Sequence, residues 1–152
     1  TREKTPVMTT EDTPFEIGKA EIYRAGKDVT IIGCGPLVYE ALKAAEELAK
    51  EDGDVEVLNN HTIKPMDKET ILKSVKKTGC VVTIEEHQAA GGMGSAVGEI
   101  LSQNHPAPME IIGVQDRFGE SGEPKELLEK FGLTAKSIIE AAKRIIERKI
   151  NQ

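Results

Sequence analysis

Three residues with side chains suited to proton transfer follow one another at Glu85, Glu86 and His87. Paired carboxylates beside an imidazole can act as general acids and bases, although the sequence shows no nucleophile or metal partner for them. A small-residue stretch follows directly, and its backbone N–H groups could cradle a phosphate. Its residues of interest are Gly91, Gly92, Gly94 and Ser95. The Lys and hydroxyl pair of a P-loop is missing, so a packing turn is the alternative interpretation.

A second glycine turn, Gly33-Cys34-Gly35-Pro36, lies between an apolar run and an amphipathic segment, as in dinucleotide-binding proteins. Two parts of that fingerprint are absent. Val38 replaces the third glycine, and the next apolar run ends at Leu58-Asn59-Asn60 without an acidic residue. The pattern therefore favours a tight strand-to-helix turn, with a helix N-terminus that could hold a small anion.

The other reactive side chains form no recognisable centre. Cys34 and Cys80 give neither a disulfide framework nor a metal site, which needs about four clustered ligands. We expect both thiols to be unpaired, because they fall at opposite ends of strands in a parallel sheet. The three histidines show no ligand spacing. Arg117, with Asp116 and Glu120 nearby, is typical of a surface ion network.

Composition limits the classes of function that the chain can have. Its 152 residues are enough for one domain with a full core. A net charge of −6 argues against a nucleic-acid partner, since phosphate binding needs clustered Lys and Arg. No apolar run approaches the ~20 residues of a membrane span. The N-terminus has no apolar signal core, and two cysteines are few, so we expect a cytoplasmic protein.

Short apolar runs alternate with amphipathic segments along the chain. The runs predict strands at residues 20–24, 29–32, 55–58, 81–84 and 109–114. The segments predict helices at residues 37–50, 67–77, 93–101, 123–131 and 134–148. We expect Asp67, Ser95, Ser121 and Thr134 to cap helices, and Gly132 to end one.

Strands that alternate with helices predict an α/β fold with helices on both faces of a mostly parallel sheet. We expect a three-layer α/β/α sandwich of about five strands, four of them parallel. The first strand is expected at an edge, antiparallel to the second, because residues 25–28 are too few for a parallel crossover. Glu85 to Ser95 then lie at the carboxyl end of a strand, where such folds keep their sites.

Residues 1–19 have the composition of a linker. They are polar and contain Pro6 and Pro14, which disfavour regular helix. Phe15 and Ile17 alternate with polar residues, so the end of this segment is expected to lie against the domain. The chain does not begin with Met, and we expect it to be part of a longer protein.

Four segments taken together resemble the C-terminal domain of transketolase. They are NHTIKPMD at 60–67, EEHQAAGGMGSAV at 85–97, DRFGESGEPKELLEKFGLTA at 116–135, and TPFEIGKAEIYRAGKDVTIIGCG at 13–35. The closest pattern is that of the split, two-gene enzymes. Deoxyxylulose-phosphate synthase and the E1 β subunits of 2-oxoacid dehydrogenases are similar in part, and the DRFGESG and FEIGKAE segments favour transketolase.

The resemblance implies a holoenzyme that transfers a two-carbon ketol unit between sugar phosphates with thiamine diphosphate and a divalent metal, Mg²⁺ or Ca²⁺. It places residues 1–19 as the linker from a preceding pyrimidine-binding domain, and 20–150 as the C-terminal domain. Partners would be that domain and a thiamine-binding subunit or domain, in a homodimer or heterotetramer. The family's cofactor signature is absent here, so the resemblance assigns no catalytic, cofactor or metal residue to this chain, and we expect it to be inactive alone.

Two classes of function remain open. The first is a non-catalytic assembly domain of a ketol transferase. The second is a free-standing module that binds a nucleotide or a small anionic regulator at its glycine turns. Under either interpretation, the candidate interface or anion contacts are Gly33, Gly35, Glu86, His87, Gly91, Gly92, Gly94, Ser95 and Arg117.

Overall fold

The computed structural model describes residues 5–150, which form a five-stranded sheet with helices on both faces. The strands are β1 (Glu21–Arg24), β2 (Val29–Gly33), β3 (Val55–Asn59), β4 (Val81–Gln88) and β5 (Met109–Val114). The helices are α1 (Leu37–Ala49), α2 (Lys68–Thr78), α3 (Met93–Asn104), α4 (Pro124–Lys130) and α5 (Ala135–Ile150). The order β1-β3-β2-β4-β5, with only β1 antiparallel, confirms the predicted fold class.

The central strands are buried on both faces, as their β-branched runs predict. β2 pairs in parallel with β3 on one side and with β4 on the other. The carboxyl ends of β2, β3, β4 and β5 therefore lie along one edge of the sheet. We call this the carboxyl edge.

The partner of β1 differs from the prediction. β1 pairs with β3 and not with β2, because its connection to β2 passes around the start of β3. The N–H groups of Lys27 and Asp28 both donate to the carbonyl of Asp54, at 2.9 and 2.8 Å. A Cβ on Gly26 would lie 2.2 Å from the carbonyl carbon of Val55, so only glycine allows this crossing. The prediction that β1 pairs with β2 is therefore wrong, whereas the prediction of an antiparallel strand at the edge of the sheet is confirmed.

Two aliphatic clusters fill the two interfaces between the sheet and its helices. On one face α1 and α5 pack against the sheet, and on the other α2 and α3 do so. The first cluster is centred on Ile31, Val57, Val82, Ala41, Ala45, Ile138 and Ile145. The second is centred on Ile32, Leu58, Val81, Ile71, Val75, Met93 and Val97.

Helix ends follow the predicted residues in three of five cases. Asp67 accepts the N–H of Thr70 at the start of α2, and Thr134 accepts that of Ser137 in α5. Gly132 has φ +68° just after α4. Ser121 is not the cap of α4, because Glu123 occupies the N-cap position and Pro124 begins the helix. Ser95 is not the cap of α3, as described below.

Residues 5–19 form turns and irregular structure, and residues 1–4 of the expected linker lie outside the described range. The ring of Phe15 lies 4.5 Å from that of His61, so the end of this segment does contact the domain. Cys34 and Cys80 are both free, and they lie at opposite edges of the sheet as predicted. Within residues 5–150, no helix is both long and apolar enough to cross a membrane.

A candidate docking edge at the carboxyl ends of the strands

Residues 85–88 are not a corner after a strand but the last part of β4 itself. The regular pairing of β4 with β5 stops at Ile84 and resumes only at Gln88, which is opposite Val114. Such an irregularity lets the strand bend while it stays in the sheet. It carries the polar residues to the carboxyl edge, and the glycine turn begins only after Gln88.

Glu85 caps α3 from inside the protein. Its carboxylate oxygens accept the N–H groups of Met93 at 2.7 Å and Gly94 at 2.8 Å, and the residue is 3% exposed. These N–H groups belong to the first turn of α3, which has no partner for them within the helix. A negative charge is favourable at this helix end. Glu85 therefore occupies the place that a bound anion would take at the start of α3.

The glycines of the turn are required by close approach. A Cβ on Gly92, the N-cap residue of α3, would lie 2.5 Å from Glu85 Oε2. A Cβ on Gly94 would lie 2.6 Å from Thr83 Oγ1 and from Ile111 Cγ2. Gly91 differs, because it is exposed and has open space around it, but its φ of +77° favours glycine.

Ser95 holds the turn together from within the first turn of α3. Its hydroxyl donates to the carbonyl of Ala89 and accepts the N–H of Gly91, both at 2.9 Å. The sequence predicted Ser95 as the N-cap because it is small and polar. That prediction is wrong since Glu85, ten residues earlier, already binds the first N–H groups of the helix.

Glu86 and His87 are exposed at the edge. The Nδ1 of His87 lies 3.1 Å from the carbonyl of Gln88, to which it can donate a hydrogen bond. The side chain of Glu86 forms no hydrogen bond or ion pair with another residue of the described chain. The three residues that the sequence grouped as acid–base candidates are thus separated, with one buried as a helix cap and two facing outward.

Gln88, which the sequence analysis did not single out, fixes the neighbouring loop. Its side-chain amide donates to the carbonyl of Arg117 at 2.9 Å and accepts the N–H of Asp116 at 3.1 Å. Both groups of the amide are therefore used to hold one backbone segment, and Asp116 adopts φ +44° there. A single Gln at a strand end carries no sequence signal for this role.

Arg117 makes the ion contact that its neighbours predicted. Its guanidinium lies 2.8 Å from Glu120 Oε1 and 4.9 Å from the centre of the Phe131 ring. Lys130 also donates to Glu120. Lys130 and then Arg117 hold the pKa of the Glu120 carboxyl below its ordinary value. The ion pair between Arg117 and Glu120 lies within the loop between β5 and α4. Asp116, which the sequence placed in the same network, does not join the ion pairs of Arg117, Glu120 and Lys130.

The turn after β2 lies at the middle of the same edge. Gly33 allows the strand to approach α1, since a Cβ there would be 3.3 Å from the Cα of Val38, and Gly35 has φ +59°. Cys34 follows on the α2 and α3 side. Burial, with the Glu85 carboxylate nearby, raises the pKa of the Cys34 thiol to about 11. Cys34 is therefore a neutral thiol near pH 7, and a poor nucleophile.

Asn60, which follows β3, is a second residue that the sequence analysis missed. Its N–H donates to the carbonyl of Gly33 at 2.8 Å, which joins the ends of β3 and β2. Its side chain is fully buried, and neither amide atom has a partner among the described residues. The same part of the chain contains no cluster of three or more His, Cys, Asp or Glu side chains placed to bind a metal ion.

Comparison with known proteins gives the family. A sequence model described as the transketolase C-terminal domain matches residues 18–138. The 6-deoxy-6-sulfo-D-fructose transketolase subunit SqwH of Clostridium sp. (strain MSTE9) is 52% identical over 93% of this chain and 44% of its own length. The 1-deoxy-D-xylulose-5-phosphate synthase of Desulfotalea psychrophila is 41% identical over 88% of this chain and 21% of its own. The chain thus spans less than half of either relative.

A solved structure shares the fold over nearly the whole of this chain. The protein described as "Split gene transketolase, inactive beta4 tetramer" superposes with a TM-score of 0.94 at 42% identity, over 97% of this chain and 48% of that one. The family match confirms the resemblance to the transketolase C-terminal domain that the four sequence segments indicated. This chain belongs to the transketolase C-terminal domain family.

Proposed function

We propose that this chain is the non-catalytic C-terminal domain of a transketolase, and that it supports assembly of the enzyme. The holoenzyme would transfer a two-carbon ketol unit between sugar phosphates with thiamine diphosphate and Mg²⁺ or Ca²⁺ in the cytoplasm. The observation that supports a non-catalytic role is that the Glu85 carboxylate is already hydrogen-bonded within the domain. The most enclosed carboxylate of the candidate edge is already bound by two helix N–H groups, at 2.7 and 2.8 Å. It is therefore a structural group.

We propose that residues 1–19 join a preceding pyrimidine-binding domain to a domain formed by residues 20–150. The boundary is supported by a buried hydrogen bond of 3.0 Å from the N–H of Ala20 to the carboxylate of Asp67. It is also supported by the start of the family match at residue 18. Thr5 lines the same cavity as Pro36 and Glu86, so the linker runs past the carboxyl edge. A domain that precedes the linker would therefore lie near that edge.

The partners in this proposal are the preceding domain and a thiamine-binding subunit or domain, in a homodimer or a heterotetramer. Support comes from the split-gene relative, whose structure is described as a β₄ tetramer. The contact would be made by the exposed part of β4 and its turn. His87 would act there as a hydrogen-bonding group, and the small side chain of Ala90 would let another backbone approach. The candidate contacts at Gly33, Gly35 and Arg117 extend the same edge.

A deoxyxylulose-phosphate synthase is the second candidate function, because its 41% identity to this chain is close to the 42% of the split-gene transketolase structure. The two functions differ in donor and product. The test is to express the complete coding region with any separate thiamine-binding subunit, and to assay the assembled enzyme with two donor classes. A ketose phosphate donor with an aldose phosphate acceptor reports ketol transfer. Pyruvate with glyceraldehyde 3-phosphate reports the synthase reaction.

We expect turnover with the ketose donor and none with pyruvate. A 6-deoxy-6-sulfo ketose should be included as a third donor, since the relative at 52% identity carries that substrate in its name. If the enzyme preferred the sulfo sugar, the proposed ketol transfer would stand, and only the proposed substrate class would change. If pyruvate were the only donor that gave turnover, the transketolase function would be rejected in favour of the synthase function.

A further inference from the structure

The segment that precedes β1 has the composition of a flexible linker, but in the structure it lies against the domain. We call residues 5–19 the strap. Its first residue, Thr5, lines an apolar groove of about 470 Å³ together with Pro36, Glu86 and part of α4. Because Pro36 is the N-cap residue of α1, the start of the strap is placed at the beginning of that helix.

The middle of the strap lies beside β1, the least buried strand of the sheet. None of the four residues of β1 is fully buried, whereas each of the other described strands contains at least one buried residue. A cleft joins the strap to this strand and to α1, and it is lined by Met8, Thr13, Pro14, Glu21, Ile22, Tyr23 and Leu42. The strap therefore runs alongside an edge strand that the helices leave partly exposed.

The end of the strap contacts the loop between β3 and α2. The ring of Phe15 lies 4.5 Å from the ring of His61. A Cβ on Gly18 would lie 3.2 Å from Cγ of Pro65, so the backbone of the strap passes directly beside this proline. The strap thus lies against three separate parts of the domain, which are the start of α1, the edge strand and this loop.

Hydrogen bonds within the strap hold two turns. The N–H of Thr13 donates to the carbonyl of Thr10 at 3.1 Å, and the N–H of Thr10 donates to Thr13 Oγ1 at 2.8 Å. The N–H of Lys19 donates to the carbonyl of Glu16 at 3.1 Å. A Gly- and Ser-rich tether has no such fixed bonds and samples many end-to-end distances. The strap differs from such a tether both in its own turns and in its contacts with the domain.

We propose that the strap is an ordered spacer that sets the orientation of the preceding domain, and that it is not a flexible tether. The proposal rests on the proposed function, which places a pyrimidine-binding domain before this segment. A flexible tether would limit only the distance between two domains, because its end-to-end vector varies. A spacer that is held at three places along its length also limits their orientation, so the preceding domain reaches its contacts without a search over many arrangements.

Hydrogen exchange of the 152-residue chain tests the order of the strap in the absence of any other domain. The N–H groups of Thr13 and Lys19 should exchange at least about 10-fold more slowly than in an unstructured peptide. Phe15→Ser should raise the exchange rate of Lys19 by a factor of about 3–10, as expected for the loss of one aromatic contact. Phe118→Ser is the matched control, because Phe118 is also an exposed aromatic residue, at 95%, but lies outside the strap. It should leave both rates unchanged.

Replacement of the strap in the complete enzyme tests its role as a spacer. In one variant, residues 5–17 are replaced by Gly and Ser at unchanged length, which removes the side chains that contact the domain and keeps the chain continuous. Assembly, measured by sedimentation, and ketol transfer should both fall by a factor of about 10 or more, since the orientation of the domains is no longer set. A control variant carries Thr9→Ser, Glu11→Ser and Asp12→Ser, because these exposed residues line neither the groove nor the cleft. It should keep full activity.

Two results would overturn the proposal. One is exchange of the strap N–H groups at the rate of an unstructured peptide, since the strap would then have no fixed contacts. The other is full assembly and activity of the Gly and Ser variant, because any chain of that length would then serve. Absence of ketol transfer by the complete wild-type protein would instead reject the proposed function, and hydrogen exchange and sedimentation of the same variants would still decide between spacer and tether.

Discussion

At the carboxyl edge of the sheet, the carboxylate of Glu85 accepts two backbone hydrogen bonds from α3 while almost no part of the residue is exposed. Its neighbours Glu86 and His87 face outward. Strict alternation along a strand would place Glu85 and His87 on the same face, but the pairing of β4 is irregular between Ile84 and Gln88. Three adjacent polar residues therefore divide into a structural cap and an exposed pair at this irregular end of β4.

Replacement of Glu85 distinguishes a cap from an acid–base group. Glu85→Ala should lower the free energy of unfolding by about 2–3 kcal/mol, because two buried N–H groups lose a charged acceptor. Glu85→Gln keeps one acceptor oxygen and should cost less. Urea unfolding followed by circular dichroism measures both. If Glu85→Gln left stability unchanged but abolished turnover of the assembled enzyme, Glu85 would have a chemical role and the cap interpretation would fail.

Ala90 and Gly92 make a matched pair for the docking role of the turn. Ala90 is exposed, whereas a side chain on Gly92 would collide with the Glu85 carboxylate at 2.5 Å. Ala90→Leu should weaken assembly and activity of the complete enzyme, and change the stability of the isolated domain by less than about 0.5 kcal/mol. Gly92→Leu should destabilise the isolated domain as well.

Sedimentation of the complete enzyme and urea unfolding of the isolated domain measure the two effects. An unchanged assembly state with Ala90→Leu would remove this turn from the docking surface. Equal destabilisation of the domain by both substitutions would make the turn a core element only.

At the scale of elements, Asp67 links the start of the domain to α2. Its carboxylate accepts the N–H and hydroxyl of Thr70, at 3.1 and 2.8 Å, and the N–H of Ala20 at 3.0 Å. Asp67→Ala should reduce stability by about 2–4 kcal/mol, since a helix cap and a buried acceptor are both lost. Asp67→Asn should cost less because an amide oxygen can still cap the helix. Equal stability of all three proteins would show that residues 18–20 are not held by this contact.

The same residue predicts a pH dependence. Burial alone would raise the pKa of Asp67, but the N–H groups of Thr70 and Ala20, the Thr70 hydroxyl and Lys19 together lower it below its ordinary value. A carboxyl with a lowered pKa in the folded state stabilises the fold above its unfolded pKa of about 3.9. This contribution is lost as the pH falls through the lower, folded value. The stability difference between wild type and Asp67→Asn should therefore be constant near neutrality and shrink in acid.

The sequence predicted the elements better than their connections. Branched aliphatic runs such as 29–32 and 81–84 identify buried strands without tertiary information, and all five helices were placed. The pairing of β1 with β3 could not be predicted, because it depends on the crossing of Gly26 over the start of β3. The extension of β4 to Gln88 was missed for a similar reason. Its polar residues stay in the sheet through a bend and through contacts with a loop nearly 30 residues later.

At the scale of the molecule, four helices cover the two faces of the sheet and leave the carboxyl edge open. The exposed residues of β4, the loop that carries Phe118 and the path of the linker past Pro36 and Glu86 all lie along this edge. The buried carboxylate of Glu85 and the backbone N–H of Asn60 are hydrogen-bonded within the chain, whereas the buried side-chain amide of Asn60 has no partner among the described residues. The edge thus combines a mostly hydrogen-bonded interior with an exposed outer surface, as expected of a docking surface.

We expect this domain to fold by itself and to contribute no catalytic group. The most direct measurement is the rate of ketol transfer by the purified 152-residue chain, supplied with thiamine diphosphate, Mg²⁺ and both sugar phosphates. Circular dichroism of the same sample shows whether the α/β fold is present. We predict a folded protein with no turnover above the rate without enzyme. Saturable turnover by this chain alone would contradict the account.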